Sequence, residues 1–330
     1  MDNFIKVDKR IIDLKNSKLI LSYILLNQYV DRRNRCKFTL EELITECGFK
    51  VNRGKNNSLE HFKDILIYLK NENILNDFKI ECNINKLKSN THINCTYKPK
   101  FNTNDEGEDC NFIKFPVELL DNICKITTKD RCDTIFILSY LLSFMNDIQR
   151  FCYPSLDNIV EVTGLSKPYI KKILDKLKNG DLLYIDNIGL CSKNGEFKTF
   201  NNVYAFTRRD LEEGLLASKS YAKAQGYIIL NKRQKEIVKQ INGLKGIVVK
   251  LRNKDKDVEE YKEKLKQLKK KIKDECKVNI DDLNKRIDEL NDRCDKLGID
   301  GIEPSDSFDI DELKDVVKYL ENEINNIDNK

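Results

Sequence analysis

Catalysis near neutral pH draws on histidines, activated nucleophiles, paired carboxylates or phosphate-cradling loops, and this chain of 330 residues supplies little of that kind. His61 and His92 are its only histidines, too few for a paired-histidine metal site and a thin basis for acid–base work. A phosphate loop needs Gly-x-x-x-x-Gly-Lys followed by Ser or Thr. Here Gly48 and Gly54-Lys55-Asn56 are separated by five residues and end in Asn, so the loop could not hold a magnesium-bound phosphate. No Gly-x-Ser-x-Gly elbow is present. The eleven cysteines contain no Cys-x-x-Cys pair and sit in apolar stretches, so they read as reduced core thiols. A noncatalytic protein with no metal and no cofactor is expected.

What the sequence does offer is positive charge arranged on helix faces. Between 166 and 179, Ile170, Ile173, Leu174 and Leu177 recur at helical spacing and define one apolar side. The other side presents Lys167, Tyr169, Lys171, Lys172, Lys176 and Lys178, interrupted by Asp175. Such a face can neutralise phosphates while the helix N-terminus enters a major groove. A second candidate is the loop from Lys50 to Ser58, where Arg53 and Lys55 could reach a backbone or minor groove. Arg32, Arg33, Arg35 and Lys37 form a further basic cluster, whereas the helix after the loop, with Glu60, Asp64 and Glu72, is less basic.

These residues sit in an internal repeat. Phe4-Ile5-Lys6 recurs as Phe112-Ile113-Lys114, and Ile20-Leu21-Ser22-Tyr23 as Ile137-Leu138-Ser139-Tyr140. Thr39 to Ile44 parallels Ser155 to Val160, with Gly48 opposite Gly164, and Ile65 to Leu75 parallels Ile173 to Leu183. Four similar blocks in one order imply two homologous domains, 1–100 and 111–207, joined by an acidic linker at 101–110. Each copy reads as helices followed by β-prone segments. Ser155 is placed to cap a short helix that Gly164 stops; Ser166 caps the next, with Pro168 in its first turn. Leu183 to Ile188 and Val203 to Phe206 then flank a polar loop holding Gly189 and Gly195, with Phe78 to Ile84 and Ile93 to Tyr97 as the first copy's equivalents. Helix, tight turn, helix and hairpin outline a winged helix.

Beyond a connector at 208–229, the region 230–330 changes to heptad spacing. Ile237, Leu244 and Leu251 lead to Val258, Tyr261, Leu265, Leu268 and Ile272, then Ile280, Leu283, Ile287, Leu290, Cys294 and Leu297. After Gly298, Gly301 and Pro304, a last helix carries Ile310, Leu313, Val317, Leu320, Ile324 and Ile327. Residues 208–280 carry a net charge of +10 and 281–330 of −9, so the two halves attract one another, within one chain as a helical hairpin or between two chains. The expected fold is therefore mainly α with small β-hairpins: two tandem winged helices and a long C-terminal coiled coil, most simply a homodimer. The longest apolar run, Leu19 to Leu26, falls far short of the about 20 residues needed to span a bilayer. With no signal-peptide pattern, a cytoplasmic protein without a membrane partner is expected.

The second copy's Phe-Ile-Lys-Phe-Pro-x-Glu-Leu-Leu, Ile-Leu-Ser-Tyr-Leu-Leu, Pro-Ser-Leu-x-x-Ile, Thr-Gly-Leu-Ser and Ile-Lys-Lys-Ile-Leu-Asp-Lys-Leu-Lys resemble the winged-helix domains of replication initiators and replisome organisers from plasmids and phages of low-GC Gram-positive bacteria. The resemblance implies a sequence-specific double-stranded DNA-binding protein that recognises origin repeats, with a replicative helicase or partition protein as further partner. Two other readings stay open: a winged-helix transcriptional or plasmid-partition regulator, and a protein-interaction scaffold that does not touch DNA.

Overall fold

The computed structural model describes residues 3–52, 57–79, 83–99, 101–104, 109–127, 129–193, 196–252, 258–297 and 316–321. The protein is helix-rich with small antiparallel sheets. It divides into two compact units, residues 1–186 with 201–214, and residues 187–200 with 215–330.

In the first unit the repeat is visible as two successive sets of elements. The first set is β1 (Phe4–Asp8), α1 (Lys9–Asp13), α2 (Ser17–Gln28), β2 (Arg35–Thr39), α3 (Leu40–Glu46), α4 (Ser58–Asn71), β3 (Leu75–Lys79) and β4 (His92–Tyr97). A two-stranded pair, β5 (Asn102–Thr103) and β6 (Asp109–Cys110), lies within the acidic stretch between the copies. The second set is β7 (Phe112–Pro116), α5 (Val117–Ile126), α6 (Arg131–Leu142), β8 (Phe151–Cys152), α7 (Leu156–Thr163), α8 (Lys167–Asn179) and β9 (Tyr184–Asp186). A hairpin, β10 (Leu190–Lys193) and β11 (Glu196–Thr199), precedes its last strand, β12 (Val203–Ala205). Both copies build a three-stranded sheet of the same order, β2-β4-β3 and β8-β12-β9, with the last strand in the middle.

Local chemistry accounts for the helix boundaries. Thr39 and Glu42 form a reciprocal capping box at α3. The Ser155 hydroxyl accepts from the Asn158 amide at the start of α7, and Gly164 ends that helix at φ +70°, a conformation that costs glycine nothing. At α8 the N-cap Ser166 makes no side-chain cap bond, and Pro168 occupies the first turn.

The copies join through elements that the repeat makes equivalent. Strands β1 and β7 pair antiparallel, with Lys6 directly opposite Lys114, its counterpart in the repeat. Two like charges so placed repel. Each takes its own carboxylate, Lys6 to Asp109 at 2.6 Å and Lys114 to Asp147 at 2.5 Å. Helices α2 and α6, the repeated Ile-Leu-Ser-Tyr segments, pack on one another. Leu19 through Leu26 are all buried, so the longest apolar run is a central helix covered on every side. A single hydrophobic cluster runs through both copies, from Ile5 and Tyr23 to Ile137, Leu138 and Tyr204. Arg131 at the head of α6 is buried. Its guanidinium donates to the Glu46 carbonyl, to the Cys124 carbonyl at 2.9 Å and to the Thr127 carbonyl at 3.1 Å.

Helix α9 (Arg208–Ala224) gives its first residues to this unit, where Gly214 lets the helix approach the sheet. A Cβ there would lie 2.5 Å from Val203 and 2.9 Å from Phe151. The second unit contains the β10–β11 hairpin, the rest of α9, β13 (Ile228–Ile229), α10 (Lys232–Arg252) and α11 (Glu259–Leu297). β13 adds to the free edge of β10, so the stretch expected to be a polar loop is part of a three-stranded sheet with β10 at its centre. Helices α10 and α11 pack together, with Ile237, Val238 and Ile241 clustering with Leu268 and Ile272. The heptad residues thus meet within one chain. Residues 316–321 are helical from 316, with Leu320 buried and Glu321 3.2 Å from Arg286. The rest of the expected last helix, and its preceding Gly-Gly-Pro break, lie outside the described residues. None of the helices among the described residues is long and apolar enough to cross a membrane.

Candidate nucleic-acid interface

Helix α8 buries Ile170, Ile173, Leu174 and Leu177 and exposes its basic side. The structure divides the candidate residues on that side into three groups. Lys171 and Lys172 are exposed and form no hydrogen bond or ion pair among the described residues. Lys167 pairs with Asp157 of α7 at 2.7 Å, and Lys178 donates to the Ile185 carbonyl at 2.9 Å. Both interactions are at the surface, where an ion pair is worth at most about 1 kcal/mol and is readily exchanged for a phosphate.

The third group is tied inward. Tyr169 is half-buried, its hydroxyl 3.0 Å from Asp130 Oδ1 and 3.1 Å from Asp133 Oδ2. Burial, reinforced by the Asp133 charge, pushes its phenol pKa up, so the hydroxyl stays a donor to these carboxylates. Lys176 is ion-paired with Asp130. The Lys176 hydrogen bond is the main cause that holds the Asp130 carboxyl below its usual range. A depressed carboxylate pKa contributes stability above the unfolded value, about 4, and loses it as pH falls through the folded value. The pair therefore holds at neutral pH. Asp130→Asn should free the exposed Lys176 ammonium from its ion pair and raise affinity for duplex DNA about fivefold at near-physiological salt, the gain from one added phosphate contact. Fluorescence anisotropy checks this; unchanged affinity would mean that Lys176 does not reach the nucleic acid.

In the first copy the equivalent helix α4 is different in kind. Its exposed residues include Glu60, His61 and Asp64, with Glu72 at its C-cap, and its central lysine, Lys63, is buried, donating to Glu60 at 2.8 Å and to the Asn85 carbonyl at 2.9 Å. Arg53 and Lys55 lie outside the described residues. Arg32, Arg33, Arg35 and Lys37 are exposed. Arg35 is paired with Asp31 at 2.7 Å, and its hydrogen bond is the main cause that lowers the Asp31 carboxyl to about 2.

Sequence reasoning missed Lys193 and Lys198, which stand exposed on the β10–β11 hairpin. The four-residue runs Leu-Cys-Ser-Lys and Glu-Phe-Lys-Thr are too short for alternation to be persuasive. The partner strand β13 that supports them comes about 30 residues later in the chain. The protein is thus a helix-rich, repeat-built chain whose surface carries a helix with lysines unpaired among the described residues. Compared with models of known protein families and with curated proteins, the chain matches none.

Proposed function

We propose that the protein binds double-stranded DNA sequence-specifically through α8, as a tandem winged-helix protein, and acts as a plasmid or phage replication initiator. The observation that carries this reading is the exposed Lys171–Lys172 face on a helix whose other side is anchored in the core. A three-residue turn joins that helix to α7, and the strands after it, β9 and β12, complete a sheet with β8 in which the last strand lies in the middle. A rigid helix with free ammonium groups can hold phosphates while side chains near its N-terminus reach base edges. The first copy, with its less basic α4, would serve as the mate that orients α8.

The test is anisotropy titration of the full chain with fragments from around its own gene and with scrambled duplexes of equal length, at low and near-physiological salt. Base readout should leave a preference of about a thousandfold or more as salt rises, whereas phosphate contact alone gives affinities that collapse together. Binding to neither duplex at low salt would favour the scaffold reading, for which the hydrogen-bonded Tyr169 and ion-paired Lys176 are the specific observation. Specific binding by a protein dispensable for replicon maintenance would favour the transcriptional or partition regulator.

For assembly, the C-terminal helices form the proposed coiled coil. The α10–α11 packing uses Ile237, Ile241 and Ile272, and leaves Ile247 (40% exposed) and Val249 (57% exposed) on α10 for a second copy. Light scattering of the full chain should give twice 38.6 kDa. A mass of one chain would remove the homodimer and leave the helical hairpin.

A further inference from the structure

The second unit carries a surface whose chemistry differs from that of α8. Residues 187–200 and 215–252 contain eleven Lys and Arg against two Glu, Glu196 and Glu236. Within this basic field three aromatic rings from three elements come together. Phe200 follows β11, Tyr221 lies in the last turn of α9, and Tyr227 follows the glycine beyond the end of that helix. Phe200 meets Tyr227 edge-to-face at 5.3 Å and Tyr221 at 6.3 Å between ring centres. Gly226, at φ +75°, makes the reversal that returns Tyr227 to the cluster.

The hairpin supplies the cations. Lys198 lies over both Phe200 (4.9 Å) and Tyr227 (5.7 Å), and Lys193 over Tyr227 at 5.6 Å while donating to the Gln225 carbonyl at 2.6 Å. The lysines therefore stand on Phe200 and Tyr227, and the third ring is left to solvent: Tyr221 is 61% exposed. An exposed ring buttressed from its edge, beside fixed ammonium groups, is the combination that takes an unpaired base on its face and the adjoining phosphates on the cations. A base inside a duplex has no free face to offer, so this geometry selects single strands.

We infer that the Phe200–Tyr221–Tyr227 cluster, with Lys193 and Lys198, is a binding platform for single-stranded nucleic acid, on which a base stacks against Tyr221. The inference does not depend on the duplex reading of α8, since the residues belong to the other unit and are tested by a different ligand.

The chain has no tryptophan, so Tyr221→Trp places a sole indole reporter at the platform. Titrating that variant with oligo(dT) and with oligo(U) of about 20 nucleotides should quench its emission, and the stronger of the two arms identifies the strand type. Binding should weaken steeply with salt. In the wild-type background, Tyr221→Ala should lose about tenfold in affinity for the single strand, Tyr221→Phe should keep it, and Lys193→Ala with Lys198→Ala should lower both affinity and the salt slope. Duplex affinity should be unchanged in the Tyr221 variants. Because Tyr221 is exposed, its replacement leaves the core intact. Unquenched emission from the Tyr221→Trp variant, or single-strand affinity equal in wild type and Tyr221→Ala, overturns the inference; so does a Tyr221→Ala loss that is equally large for duplex.

Discussion

Alanine at both Lys171 and Lys172 is expected to weaken binding to a duplex from the protein's own locus about thirtyfold at near-physiological salt, and to lower the slope of log affinity against log salt by about two. The magnitude follows from the geometry. These are the α8 lysines with no hydrogen bond or ion pair among the described residues, so each can neutralise one phosphate without first breaking such a bond within the protein. Every phosphate left without its lysine takes about 0.9 off the slope, which near 0.15 M salt is about fivefold in affinity. Lys176→Ala alone should change little, because its ammonium is already held by Asp130. That ordering separates the present geometry from a simple count of positive charges, by which all three lysines would matter equally. Equal losses from Lys171, Lys172 and Lys176, or none from any, would refute the assignment. Folding is not at issue in these variants, since the side chains replaced are exposed and Ala favours the helix.

Arg131→Ala is expected to cost about 3 kcal/mol of folding stability, seen as a shift in the urea midpoint. Arg131 is buried, and its three hydrogen bonds all go to carbonyls at helix C-termini. The Glu46 carbonyl closes α3 of the first copy; those of Cys124 and Thr127 close α5 of the second. These are the groups a helix leaves unsatisfied, at the end where its dipole favours a cation. One planar guanidinium serves all three, joining the two copies. Removing it leaves buried acceptors without donors, and lysine, with a compact charge in place of a fork, should recover only part of the loss. Urea unfolding within about 1 kcal/mol of wild type would show that water replaces the guanidinium at little cost.

Much of this organisation was legible in the residues. The repeat announced two similar sets of elements because the same apolar spacing has to build the same helices. Ser155 and Gly164 marked the ends of α7 because capping and a left-handed φ are local demands that few residue types meet. The stripe Ile170, Ile173, Leu174 and Leu177 gave the orientation of α8, and with it the set of lysines on its outer side.

What could not be read was which of those lysines were free. Asp130, which holds Lys176 and faces Tyr169, lies 46 and 39 residues away along the chain, at the head of another helix. Nothing in the periodicity of α8 registers such a neighbour. The hairpin at 190–199 escaped notice for a related reason, since strands of four residues owe their existence to a ladder partner, β13, contributed from beyond α9.

By itself, then, the sequence determined what depends on near neighbours: helices and their caps, the apolar faces, the twofold repetition and the placement of charge along the chain. Pairings between distant segments were decided only by the tertiary structure. Lys6 met Lys114 across a strand pair, Arg131 met the end of α3, and Tyr221 met Phe200. The physical reason is that periodicity and capping act over one or two turns, whereas the partner of a buried or surface charge is chosen by the packing of whole elements, which brings together residues far apart along the chain.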